Sequence, residues 1–171
     1  MINSKSFVRC LFMLLVLGIN FFSWNLPAQA VSVDPFIRRY LDVSQPVEIP
    51  VDQKGNTRKF SGEDLTEGKT LFEKNCVNCH VGGLTLQDPT VSLSLEALKG
   101  ATPSRDHLNN LVAYFRNPVS YDGTDYNYWC RQVSEDWMST EEVQKMAAYL
   151  LRAAEKVPSW GIQQPQQTPS F

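Results

Sequence analysis

Five consecutive residues, Cys76-Val77-Asn78-Cys79-His80, limit what this chain can become more than any other stretch of its 171 residues. Two thiols three positions apart lie along one turn of backbone, and an imidazole follows directly. C-x-x-C-H suits covalent attachment of a c-type haem. The thiols add across the porphyrin vinyl groups, and His80 supplies an axial nitrogen to the iron. Zinc is a poor alternative, because a zinc site takes about four N, S or O ligands. Downstream of the N-terminal leader the chain offers only one other Cys, Cys130, and one other His, His107, neither in a second C-x-x-C. A redox dithiol would have no use for the adjacent His. The expectation is one haem c, bound through Cys76 and Cys79, with His80 as proximal ligand.

The start of the chain agrees with that chemistry. Lys5 and Arg9 precede an apolar stretch, Leu11 to Trp24, and Ala28-Gln29-Ala30 is a small-x-small cleavage site. The apolar run is broken by Asn20 and Ser23 and falls short of the ~20 residues a membrane span needs. Residues 1–30 therefore read as a cleaved export signal, leaving a mature chain with no transmembrane span. Export fits, because c-type haem is attached after a chain crosses a membrane. Loss of Lys5 and Arg9 leaves 14 Lys and Arg against 18 Asp and Glu, a formal charge of −4. An acidic surface excludes nucleic acid as a natural partner and favours a basic protein. Cys130 is left as an odd thiol in an exported protein.

The mature chain reads as an N-terminal extension with a hairpin (31–60), a haem domain (61–156) and an extended tail (157–171). Phe36, Ile37, Tyr40 and Leu41 recur at helical spacing, with Pro46 as the stop. Val47 to Val51 alternates, Lys54-Gly55 can turn, and Thr57 to Phe60 can return as a second strand. Ser61 with Asp64 resembles a capping box opening a helix. Gly68 inside that helix predicts close contact with the last helix. Gly82-Gly83 predicts backbone passing a porphyrin edge. A short helix is expected over Ser92 to Leu98, and a longer one opens at Thr102-Pro103 and stops at Asn117-Pro118. Ser139 to Glu142 caps a final helix ended by Val157-Pro158. Helix, haem loop, two middle helices, ligand loop and final helix outline an all-α, class I cytochrome c fold around one covalent haem, with a small N-terminal β-hairpin. The porphyrin would form much of its core, so the chain without haem is expected to fold poorly.

Several segments then resemble one family. Glu67-Gly68-Lys69-x-Leu71-Phe72 precedes the haem motif, and Cys79-His80-Val81-Gly82-Gly83 follows it. Ala101-Thr102-Pro103-x-Arg105-Asp106, Leu111-Val112-x-Tyr114, Asn117-Pro118 and Tyr121-Asp122-Gly123 come after. Together they resemble the cytochrome c-550 family, extrinsic haem proteins on the lumenal side of photosystem II, from about Val47 to about Leu151. The resemblance implies a low-potential electron carrier or a support of the oxygen-evolving complex, peripheral in the thylakoid lumen. Its partners would be photosystem II lumenal subunits and redox proteins, and no enzymatic activity is implied. The alternatives are a freely diffusing redox shuttle or haem sensor, and a thiolate-haem sulfur-compound oxidoreductase.

One departure concerns the iron. The family places a distal His after the Tyr-Asp-Gly turn, and no His follows Gly123 here. Cys130 falls where the family has that His, which makes His80 and Cys130 the expected iron ligands. Met138, just before the Ser139 cap, and His107, on a polar side of the middle helix and expected to be exposed, remain open as alternatives. Tyr126, Tyr128 and Trp129 read equally as haem wall or as loop surface. Arg131 is the cation next to Cys130 in sequence.

Overall fold

The computed structural model describes residues 32–86 and 90–162. The expected export signal and residues 163–171 of the expected tail lie outside the described residues. Asp34 opens helix α1 (Pro35–Tyr40), its carboxylate accepting from the Phe36 amide at 2.7 Å. Ile37 and Leu41 are buried. The helix ends at Leu41 rather than running toward Pro46. The Leu41 carbonyl accepts instead from Nε of the buried Arg152 at 2.9 Å, and Asp42 turns the chain with a φ of 53°. Strands β1 (Val47–Pro50) and β2 (Thr57–Phe60) pair antiparallel, Val47 opposite Phe60 and Pro50 opposite Thr57. This is the expected hairpin, with Ile49 and Phe60 directed into the core.

Helix α2 (Gly62–Asn75) carries the expected capping box. The Asp64 amide donates to Ser61 Oγ at 3.1 Å, and the Ser61 amide donates to the Asp64 carboxylate at 2.9 Å. Helix α3 (Leu95–Gly100) begins behind its Ser94 cap, three residues later than expected. Helix α4 (Leu108–Arg116) does not open at Thr102-Pro103. The intervening segment is a loop because it delivers Arg105 inward. The Arg105 amide donates to the Leu98 carbonyl at 2.8 Å, and its guanidinium donates to the carbonyls of Val119 and Ser120 at 3.0 and 2.8 Å. A helix from Pro103 would leave those carbonyls unpaired. Helix α5 (Thr140–Lys156) starts at a second capping box, Ser139 with Glu142.

Helices α2 and α5 cross closely, and Gly68 makes that possible. A Cβ at Gly68 would lie 2.1 Å from the Lys145 carbonyl oxygen. Lys145 Nζ then ties the crossing together with Glu67 and Glu141, each at 2.9 Å, and with Asp64 at 3.5 Å. Leu65 and Phe72 of α2, Leu111 and Phe115 of α4, and Val143, Met146 and Leu150 of α5 form the core. One expectation changes here. The segment after α5 is not loose throughout, because Trp160 is buried against Phe72 and Tyr149, at ring separations of 5.9 and 6.0 Å. Gly83, with a φ of 82°, accommodates that indole, since a Cβ there would lie 2.7 Å from the Trp160 ring. Among the described residues no helix is long and apolar enough to cross a membrane.

Candidate haem site

The haem motif begins where α2 runs out. The Cys76 amide donates to the Phe72 carbonyl at 2.8 Å, and the amides of Cys79 and His80 both donate to the Cys76 carbonyl at 3.1 Å. That single turn carries Cys76, Cys79 and His80 to the wall of one cavity of about 340 Å³. Phe72 of α2, Leu98 of α3, Leu111 and Phe115 of α4, and Met146 and Leu150 of α5 supply apolar wall. Cys130 lines the same cavity from the loop between α4 and α5. Two thiols, a histidine and a further sulfur around an apolar cavity are a donor set that fits a haem c.

The imidazole of His80 is held in one tautomer. The Thr85 hydroxyl donates its only proton to the Val91 carbonyl. Thr85 Oγ1 lies 3.1 Å from His80 Nδ1 and must therefore accept from it. With Nδ1 protonated, the lone pair sits on Nε2, the nitrogen left for a metal. Burial pushes the His80 pKa down, opposed by the backbone at Leu84. The Phe72 ring lies 6.5 Å from it and backs it from the core side.

The thiols are equally shaped by their surroundings. Burial, with Cys130 and Cys79 as neighbours, pushes the Cys76 thiol up to about 11. Burial also raises the Cys130 thiol, while the Tyr114 hydroxyl and the Arg105 guanidinium oppose that rise. Asn127 shapes the loop. Its Oδ1 accepts from the amides of Trp129 and Cys130 at 3.0 and 3.3 Å, and its Nδ2 donates to Tyr114 Oη at 3.0 Å. Arg105 stacks its guanidinium 3.8 Å over the Tyr114 ring. Arg131 lies over Trp137 at 4.0 Å instead, so the cation acting on Cys130 is Arg105.

The alternatives separate. Met138 is buried and lines the same cavity, with its carbonyl held by Arg116 at 3.0 Å. His107 is not the exposed residue that its polar neighbours suggested. It is 6% exposed, neither ring nitrogen has a hydrogen-bond partner, and it lines a second cavity with Asp52, Lys99, Asp106 and Glu155. Its extended backbone at the α4 N-cap turns the ring inward, off the helix face that periodicity assigns. Tyr126, Tyr128 and Trp129 all line the cavity, and all three are exposed, Tyr128 most at 86%. Sequence reasoning missed Thr85, and gave Tyr114, Asn127 and Arg105 no part in the site. An Asn three residues before a Cys was a legible loop signal. The approach of Arg105 and Tyr114 is a tertiary contact with none.

Comparison with known proteins places the chain in a family. Residues 40–167 match the cytochrome c-550 domain. The chain is 50% identical over 163 residues to the cytochrome c-550-like protein of Trichodesmium erythraeum, covering 95% of this chain and 98% of that protein. It is 47% identical over 128 residues to photosystem II extrinsic protein V of Gloeobacter violaceus, covering 75% and 69% of the two chains. The crystal structure of the PsbV2 cytochrome from Thermosynechococcus elongatus is similar with a TM-score of 0.75 at 55% identity, over 77% of this chain and 100% of that one. With its haem motif, its helical framework and its extra N-terminal hairpin, this chain belongs to the cytochrome c-550 family.

Proposed function

We propose that this protein is an exported, low-potential electron-transfer cytochrome carrying a single haem c, attached through Cys76 and Cys79 and ligated at iron by His80 and Cys130. It acts in the thylakoid lumen, after removal of residues 1–30, as a peripheral protein of photosystem II. There it exchanges single electrons with redox partners or supports oxygen evolution, without enzymatic turnover of its own. The observation that carries this reading is that Cys130, far from the haem motif in sequence, lines the same cavity as Cys76, Cys79 and His80.

The haem supplies the one-electron chemistry. The chain supplies the rest. His80 offers a neutral, pre-oriented Nε2, because Thr85 holds its Nδ1–H. Cys130 offers a sulfur whose thiolate form donates strongly to a metal and favours the oxidised state, which accounts for a low potential. Phe72, Leu111, Phe115 and Leu150 surround that centre with apolar side chains. The photosystem assignment draws on relatives named photosystem II extrinsic protein V.

The test is spectroscopic. The oxidised holo-protein is expected to show low-spin thiolate absorption and EPR spectra with a sulfur-to-iron charge-transfer band. Cys130→Ala is expected to abolish that band and raise the midpoint potential. An unchanged spectrum in the variant would remove Cys130 from the iron and return the role to Met138.

A further inference from the structure

A second cavity, of about 300 Å³, shares no lining residue with the haem cavity, and its polar groups have no part in the chemistry above. We propose that it binds a primary alkylammonium group. The carboxylates of Asp52, Asp106 and Glu155 and a ring nitrogen of His107 take the ammonium, and Ile49, Pro50 and Leu151 line the course of the alkyl chain. A lysine side chain on a partner protein has this chemistry, and so has a free diamine.

The carboxylates reach this cavity from three places in the fold. Asp52 comes from the hairpin turn, Asp106 from the segment before α4, and Glu155 from the last turn of α5. Among the described residues Lys99 of α3 is the one cation lining the cavity with them, so the lining carries an excess of negative charge. Glu155 is met at 2.9 Å by Arg152 and at 3.3 Å by Lys156, neither of which lines the cavity. Asp52 accepts from the Lys54 and Asn56 amides at 2.9 and 3.3 Å and from Asn56 Nδ2 at 2.8 Å. Asp106 and Lys99 enter no ion pair among the described residues. A carboxylate has about four acceptor sites, so all three keep room for a further donor.

His107 is the second, independent observation. Its side chain is buried, and neither ring nitrogen has a hydrogen-bond partner. Buried polar side-chain atoms are normally paired, and this ring lines the cavity. A neutral imidazole offers one lone pair as acceptor, and an ammonium has three protons to give. One ammonium therefore bonds the imidazole and the carboxylates together. A directly bound metal ion fits less well, because no three His, Cys, Asp or Glu side chains among the described residues are grouped to hold one. The volume takes an alkyl chain as well as its charged head, since one water occupies only about 30 Å³. The net negative charge of the chain attracts cations to its surface.

The experiment titrates holo-protein carrying isotope-labelled histidine, at low salt, with Nα-acetyl-lysine methylamide and with putrescine. Nα-acetyl-norleucine methylamide, which has the alkyl chain and no ammonium, is the control. Both amines are expected to shift the His107 ring signals saturably in the millimolar range or below, and the control is expected to leave them in place. Calorimetric titration then gives the affinity of each variant. Asp106→Asn and His107→Phe are each expected to weaken amine binding about tenfold, and Lys99→Ala to strengthen it by removing a competing charge. Haem absorbance and the unfolding midpoint, unchanged in Asp106→Asn, show that the fold is intact. Tighter binding of the capped lysine assigns the site to a partner protein, and tighter binding of putrescine assigns it to a free diamine. No saturable shift with either amine, equal binding of the norleucine control, or an unchanged affinity in Asp106→Asn and His107→Phe overturns the proposal.

Discussion

At the scale of single residues, the site depends on hydrogen bonds that orient the candidate iron ligands. Thr85 is the plainest case. Its hydroxyl accepts from His80 Nδ1 only because its own proton is spent on the Val91 carbonyl. Thr85→Val keeps the shape and removes the acceptor, and the lost hydrogen bond costs about 0.5–1.5 kcal/mol. The variant is expected to attach haem, to unfold at a lower temperature, and to show a shifted potential, because an imidazole without a second hydrogen bond is a weaker base toward metal. Thermal unfolding and redox titration of the holo-variant check both parts. An unchanged potential would mean that Thr85 does not set the basicity of the ring.

At the scale of elements, the crossing of α2 and α5 decides whether the motif and the ligand loop meet. Replacing Gly by Ala in a helix interior gains roughly 1 kcal/mol of helix propensity. Here the new Cβ would sit 2.1 Å from the Lys145 carbonyl, which is backbone and cannot rotate away. Forced overpacking of this kind costs about 1–3 kcal/mol, so the clash wins. Gly68→Ala is expected to lower the unfolding midpoint and to reduce the yield of holo-protein, read by calorimetry and haem absorbance. This crossing was legible from sequence, because a glycine inside a capped helix has few other uses. Both capping boxes and the hairpin were legible for the same reason: each is a contact between residues close in the chain. The start of α4 was not. Thr102-Pro103 has the local chemistry of a helix start, yet Arg105 is drawn to carbonyls 14 and 15 residues away, and no local pattern reports that. His107 and Trp160 were misread for a related cause. One sits among polar neighbours and the other in a Pro- and Gln-rich tail, but both are buried by distant elements.

At the scale of the whole molecule, the cavity is walled by every helix from α2 to α5, while the mouth carries the exposed rings of Tyr128 and Trp129. The proposed function would bring a partner to this mouth, on a chain of net negative charge. Residues 31–171 carry a formal charge of −4, so attraction to a basic partner surface falls with added salt. The Debye length shortens from roughly 30 Å at 0.01 M to about 3 Å at 1 M. The holo-protein is therefore expected to bind photosystem II particles stripped of their own cytochrome c-550, to restore part of their oxygen evolution, and to be released as salt rises through that range. Sedimentation of the particles with haem absorbance as the readout measures binding, and an oxygen electrode measures the recovery. Binding that survives 1 M salt would assign the contact to the apolar rim around Trp129 rather than to charge. No binding at 0.01 M, where charge contacts are least screened, would separate this protein from the photosystem and leave it a diffusing electron carrier.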